Sequence, residues 1–487
     1  MKHLLLLFLL VGITQVSIAR QDSTKVYKKR VLENTEVDLL MSYYTQEGEH
    51  SPVSGGIGTE SLDNITPTIV INLPLNDDDV LTIDAGLSAY TSASSSNINP
   101  FNNSGASRGG DDDDDEEEHE DEDRVSVPGE VTGSPWVASS GASRSDVLAS
   151  ISATYTHSSD DRNFIWGSHL SFSNEYDYSS IGFGGNLARL FNEKNTELSL
   201  KGQVYLDAWR PIYPTELHEY DRYGDNFLSS GYFEGVPVRD ETGAESTGYK
   251  PIKFNPVSGK NRNSYSLSLS FSQILSKKLQ ASVFLDVVYQ EGLLATPYHR
   301  IYFADRPNYY IGTASDIPNY TTTKNTGVYR LSDDIERLPD TRVKVPVGTR
   351  INYYINETFK LRTYYRYYFD DWGINSHTAS LEIPVKLSQS LSIIPTYRFY
   401  TQTAADYFAP FESHLSTEEF YTSDYDLSDF HSNQYGIGLS YTDIFTNLKI
   451  FKLGMKNLDV RYNHYNRSDG LKANIISFGV KFILDKK

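Results

Sequence analysis

The sequence predicts an all-β protein: one transmembrane antiparallel β-barrel of about sixteen strands, within a range of fourteen to eighteen, with short periplasmic turns and long extracellular loops. Three observations carry this reading. Segments of alternating apolar and polar residues recur along the chain, as strands with one apolar face require. Connections between them come in two sizes that take turns. Short connections follow His157 (Ser158–Arg162), Phe191 (Asn192–Asn195), Leu275 (Ser276–Lys278) and Leu387 (Ser388–Ser390), whereas long polar inserts follow Thr91 and Trp209. A soluble sandwich has no reason to keep its tight turns at one end, but an outer-membrane barrel does. Finally, no apolar run past residue 20 is long enough for a membrane helix, and the mean hydropathy is −0.45. A barrel tolerates this because only every second residue meets lipid.

The N-terminus predicts export. Met1-Lys2-His3 precedes an apolar run from Leu4 to Ile13 and the small-residue site Ser17-Ile18-Ala19, so residues 1–19 read as a signal peptide cut after Ala19. That run is shorter than the ~20 residues of a spanning helix. The 487-residue chain has no cysteine, which excludes a lipidated cysteine at the cleavage site, disulfides and a thiolate-held metal. Aromatic residues make up 13%, led by 36 tyrosines, a composition that suits the interfacial girdles of a barrel. The expected location is the outer membrane of a Gram-negative bacterium, with residues 20–487 forming the barrel. Outer-membrane lipids and the barrel-insertion machinery are then partners, and no nucleic-acid partner is expected.

The strands follow in order. Val31–Tyr44 places Val37, Leu39, Met41 and Tyr43 on one side; Ile65–Leu73 and Val80–Tyr90 flank the acidic turn Asn76–Asp79. Asp146–His157 pairs with Phe164–Asn174, Ile181–Phe191 with Thr196–Trp209, and Ser264–Leu275 with Leu279–Gln290. Arg342–Ile355 pairs with Thr358–Asp370 and Ile374–Leu387 with Leu391–Ala404, and Asn433–Phe445, Leu458–Arg467 and Lys472–Leu484 complete the set. From a periplasmic N-terminus every short turn falls on the inner side. Thr446–Asn457 alone is long for a periplasmic turn. Closure is required, because lipid cannot satisfy an open sheet edge.

Three outward loops are large: 92–144, 210–263 and 292–341. Connections this long are functional or disordered. The first carries an acidic insert, 111–123, in which twelve of thirteen residues are acids; these account for more than half of the net charge of −20. Asp111, Asp115, Glu118 and His119 are weak metal candidates: without the spaced ligands of a calcium loop, binding there would be loose, and a solvated, self-repelling segment is the simpler reading. Ser-Gly-Ala-Ser-Arg occurs at both Ser104–Arg108 and Ser140–Arg144. This is either a local duplication or a pair of turns closing the base of the loop.

One stretch is distinctive. Tyr364-Tyr365-Arg366-Tyr367-Tyr368-Phe369-Asp370-Asp371-Trp372-Gly373-Ile374-Asn375-Ser376-His377-Thr378 is followed by Pro395–Tyr400 and by Gln402, Ala404 and Ala405. Together with Tyr90–Ser95, Ser140–Asp146 and Gly292–Tyr302, it resembles the outer-membrane family labelled domain of unknown function 3570. The resemblance covers nearly all of the mature chain. It implies a secreted outer-membrane barrel and carries no catalytic residues. Such families usually end on an aromatic that the insertion machinery reads; here Ile483–Lys487 follow the alternating Phe478, Val480 and Phe482.

Alternation also predicts what lines the barrel. Phe359, Leu361, Thr363, Tyr365, Tyr367 and Phe369 share one face of their strand, while Lys360, Arg362, Tyr364, Arg366, Tyr368 and Asp370 share the other. A charge facing mid-bilayer lipid costs about 2–4 kcal/mol, so the second set must face the lumen. Arg342, Lys344 and Arg350 take the same side on the preceding strand, as do Glu382, Lys386 and Arg398 on the next two. The result is a basic arc along one wall, which would concentrate anions. Alternatively the cations pair with Asp207, Asp286, Glu382 or inward-folded acids and simply hold the wall together. Asp370, Asp371 and Trp372 mark the rim, either as a tight hairpin with an interfacial Trp or, with His377, as a docking tip. The eleven histidines are scattered, with no nucleophile elbow, metal-binding His pair or phosphate loop, so no enzyme activity and no cofactor are expected. The expected function is a porin-like channel for small solutes, anions among them if the basic arc lines an open lumen; the alternative is a non-conducting barrel that scaffolds a periplasmic or surface partner.

Overall fold

The structure, a computed structural model, describes residues 30–90, 146–320, 328–443 and 445–484. The signal peptide, the loop 92–144 with its acidic insert and repeated pentapeptide, and the weak metal candidates Asp111, Asp115, Glu118 and His119 lie outside the described residues.

Sixteen long strands among the described residues form one closed antiparallel barrel. They are β1 (Glu36–Glu47), β2 (Leu62–Pro74), β3 (Asp79–Tyr90), β4 (Asp146–Ser158), β5 (Phe164–Asn174), β6 (Tyr178–Phe191), β7 (Thr196–Trp209) and β8 (Asn261–Ser276). They continue with β9 (Leu279–Gly292), β10 (Thr341–Tyr354), β11 (Lys360–Asp370), β12 (Asn375–Glu382, prolonged by Val385–Lys386), β13 (Leu391–Gln402), β14 (Phe430–Thr442), β15 (Leu453–Arg467) and β16 (Lys472–Leu484). Each pairs with its sequence neighbours. The ladder from Glu36↔Ile483 to Glu47↔Lys472 joins β1 to β16 and leaves no open edge.

The outer skin follows the predicted alternation. Leu39, Met41 and Tyr43 on β1, Leu267, Leu269 and Phe271 on β8, and Val343, Val347 and Ile351 on β10 all point away from the barrel and are exposed. The periplasmic turns are held by local chemistry. Asn76 Oδ1 accepts from the backbone N–H groups of Asp78 (2.8 Å) and Asp79 (3.0 Å), and Asn356 Oδ1 does the same for Thr358 (2.9 Å) and Phe359 (3.0 Å). These are Asx turns, in which the side chain replaces a backbone acceptor.

Two boundaries differ most from the sequence reading. The first strand begins at Glu36, because its partner β2 ends near there (Glu36↔Asn72), and the Val31 N–H instead bonds to the Asp77 carbonyl at 3.0 Å. The connection before β15 is shorter than expected. The strand starts at Leu453, but a register shift between Met455 and Asn457 breaks the period-2 pattern, so alternation becomes visible only from Leu458.

On the outer side, the loops pack into a cap. Loop 210–260 contains a short helix, α1 (Thr215–Tyr223), and loop 293–340 contains small β pairings. A third loop, 403–429, which sequence reading did not single out, joins them. Phe227, Phe233, Tyr249 and Ile311 form one core between the first two loops, and Ile301, Phe303 and Tyr421 form another between the second and third. Glu216 of α1 receives Arg300 Nε (2.8 Å) and Ser332 Oγ (2.8 Å), and Arg300 Nη1 continues to the Val53 carbonyl (3.0 Å) in the loop after β1.

Candidate functional site

Along the wall formed by β9, β10 and β11, inward side chains are packed at the outer end and less buried toward the periplasmic end. On β10 the inward side chains run Arg342 (1% exposed), Lys344 (2%), then Arg350 at intermediate burial and Asn352 exposed. On β11 the order from the outer end is Tyr368, Arg366 (3% exposed) and Tyr364, all buried, then Arg362 and Lys360, both half-buried. On β9 Gln290, Val288, Asp286 and Phe284 are buried, whereas Gln280 is exposed. The boundary is a stacked ring pair. Phe284 and Tyr364 lie 5.8 Å apart at 12°, and the Arg350 guanidinium sits 5.4 Å from the Tyr364 ring and 5.8 Å from that of Phe284.

Above those rings, Asp370 organises the wall. Its Oδ2 accepts Arg342 Nε (2.9 Å), Arg342 Nη2 (2.5 Å) and the Tyr368 hydroxyl (2.7 Å), and its Oδ1 accepts the backbone N–H groups of Trp372 (3.1 Å) and Ile374 (2.9 Å). Every donor here is fixed by a strand or hairpin, which is what a buried charge requires. A parallel arrangement stands on the neighbouring wall, where Arg262 bonds Asp207 at 3.3 Å and lies 4.8 Å from the Trp209 ring.

Below the rings, Glu382 collects two cations: Oε1 accepts Arg362 Nη1 at 2.7 Å and Oε2 accepts Arg461 Nη1 at 3.4 Å. Arg398 is half-buried on β13, opposite Ser380 and Gln434. Lys386 is exposed at the periplasmic mouth, opposite Ser392. The predicted arc therefore divides. Arg342, Lys344 and Arg366 belong to the packed half, and Arg350, Lys360, Arg362, Lys386 and Arg398 to the less buried half.

A family model described as "Protein of unknown function (DUF3570)" matches residues 7–476. The chain belongs to this family. No curated protein matches the sequence. Among solved structures, the DUF3570 chain is similar to a bacterial polysaccharide outer membrane secretin at 8% identity and a TM-score of 0.40, covering 92% of this chain and 98% of that one. It is similar to OccK1 (OpdK) of Pseudomonas aeruginosa at 8% identity and 0.35, covering 93% and 99%. A BenF-like porin from Pseudomonas fluorescens Pf-5 aligns at 8% identity and 0.37, covering 93% and 98%. These likenesses concern the barrel alone.

The rim residues of the DUF3570 barrel face different surroundings. Trp372 is buried inside the mouth, not at the lipid interface: its Nε1 donates to the Thr341 carbonyl at 2.9 Å, and its ring packs with Leu294, Leu338 and Leu427. Gly373, at φ 88, lets the hairpin turn the ring inward, and a Cβ there would meet the Asp406 carboxylate. Asp371 Oδ1 accepts the Val343 N–H at 2.9 Å. His377 lies on the outward face, where its Nδ1 is 2.8 Å from the Tyr365 hydroxyl.

Sequence reading missed the partners supplied by the third loop. Arg467 of β15, which also bonds Asp469 in its own hairpin, is met by Asp426 of this loop, and Tyr421 donates to Asp334 at 2.6 Å. Neither strand nor helix periodicity marks residues 403–429. Among the described residues one grouping has metal-ligand chemistry, His299, Glu336 and Asp424 in the cap.

Proposed function

We propose that this barrel is a porin-like passage for small anionic solutes in the outer membrane of a Gram-negative bacterium, opening to the periplasm through a cation-lined vestibule and held shut on the outer side by its loops. The observation that supports this most is the boundary at Phe284 and Tyr364: beneath it Arg350, Arg362, Lys360 and Arg398 remain at intermediate burial, while above it Arg342, Lys344 and Arg366 are buried. A cationic vestibule with low-dielectric walls raises the local concentration of anions. Passage then requires the cap to move.

The packed outer half also favours a second reading: a non-conducting barrel whose periplasmic face or surface cap holds a partner. Planar-bilayer recording separates the two. Intermittent, anion-selective openings support the passage. A barrel that stays silent even after its cap is loosened supports the scaffold.

A further inference from the structure

We propose that His299, Glu336 and Asp424 form a structural site for a divalent transition cation, Zn²⁺ by its donor set, that staples two outward loops of the cap together. The site stands whether or not the lumen conducts.

The backbone builds it. Arg300–Ile301 pairs with Asp334–Ile335 in the register Arg300↔Ile335, which brings His299 and Glu336 together as the next pair; the Glu336 N–H donates to the His299 carbonyl at 2.9 Å. One residue further, Arg337 and Tyr421 exchange two backbone hydrogen bonds, 3.0 and 2.7 Å, and so bring the segment carrying Asp424 alongside. His299 (2% exposed), Glu336 (1%) and Asp424 (8%) are buried, and each offers a ligand atom within 4.8 Å of the others.

Hydrogen bonds already hold the two carboxylates in place. Glu336 accepts the Thr422 hydroxyl at 2.6 Å and the Thr296 N–H at 2.7 Å, and Asp424 accepts the Asp426 N–H at 2.9 Å. Hydrogen bonds of this kind orient metal-ligating carboxylates. His299 Nδ1 lies 3.4 Å from Glu336 Oε2, and an independent observation points to a ligand: the other ring nitrogen, Nε2, is buried without a hydrogen-bond partner among the described residues. Buried polar atoms rarely stay unsatisfied in a settled interior.

The donor set points the same way: one imidazole and two carboxylates meet in a buried pocket. A neutral imidazole and two carboxylates balance one divalent cation. One nitrogen and two carboxylates suit Zn²⁺, which takes four ligands, whereas Ca²⁺ takes six to eight oxygens. Solvent would fill the fourth position.

The test is calorimetric titration of zinc chloride into the chelator-stripped full chain in detergent. It compares the parent, His299→Ala, Asp424→Asn and a variant lacking the acidic run 111–123, each checked for barrel folding by its mobility on unheated gels. One saturable site per chain is expected in the parent and in the deletion variant, weakened more than about 100-fold in the two ligand variants. No saturable site in the parent, or undiminished affinity in both folded ligand variants, overturns the proposal, as does loss of the site in the deletion variant alone. If the ligand variants fail to fold, X-ray absorption of the zinc-loaded parent decides. A shell containing one imidazole nitrogen supports the site, and an all-oxygen shell overturns it.

Discussion

Arg342 lies over the ring of Trp372, its guanidinium carbon 4.3 Å from the ring centroid, while the same guanidinium is held by Asp370. This couples the barrel wall to the cap. Arg342 belongs to β10, whereas Trp372 packs against Leu294, Leu338 and Leu427 of the outward loops. Replacing Trp372 with Ala removes a buried ring, its hydrogen bond to Thr341 and the seat of Arg342. The expected cost is about 3–5 kcal/mol, concentrated in the cap. In bilayers the Trp372→Ala barrel should open more often than the parent; unchanged gating would show that the cap does not rest on this contact.

Asp370→Asn should be as damaging, by about 3–5 kcal/mol, because it leaves the Arg342 charge buried without its counter-ion. Denaturant unfolding in detergent measures it. A loss below about 1 kcal/mol, typical of a surface ion pair, would contradict the burial described.

The cap should loosen as pH rises through neutrality. Burial, with Asp426 and Asp469 adding to it against Arg467, pushes the Glu60 carboxyl up to about 7. Burial and Asp305 push Asp333 up to about 6, against the Phe303 N–H, Arg330 and Arg306. A carboxyl raised in the folded state binds its proton more tightly there, so its contribution is complete below the unfolded values of 4.5 and 3.8 and is lost as pH rises through 6 to 7. Glu216, lowered by Arg300 despite its burial, acts oppositely, and only in acid. With cations chelated, limited proteolysis of loops 210–260 and 293–340 should be slower at pH 5.5 than at pH 8; the reverse order would contradict this linkage.

The vestibule gives a charge test. Glu382 is shared by Arg362 and Arg461, so Glu382→Gln leaves two luminal cations without this carboxylate. Under the proposed function, reversal potentials in a salt gradient should shift toward anions, and Arg362→Gln should shift them the other way. Equal shifts in one direction would separate selectivity from this wall.

How much of the molecule is legible in its sequence depends on geometry. A strand repeats every two residues, so alternation alone assigns Leu39, Met41 and Tyr43, or Arg342 and Lys344, to their faces. Connection length gives the sidedness. Loops carry no such period, so the convergence of Glu216, Arg300 and Ser332, or of His299, Glu336 and Asp424, has no signature in the chain. Trp372 misleads for a related reason. An Asp-Asp-Trp-Gly hairpin suits a membrane interface equally well, and only the fold of loops 293–340 and 403–429 decides that its ring turns inward.

The central claim, a lumen closed toward the outside and open toward the periplasm, is tested most directly by one-sided chemical labelling. The chain has no cysteine, so single cysteines can be placed at Asn352, inward and exposed in the periplasmic half, and at Glu234, exposed in the cap. In oriented proteoliposomes, a membrane-impermeant maleimide should label position 352 only from the periplasmic side and position 234 only from the outer side. Labelling of position 352 at equal rates from both sides would contradict the account.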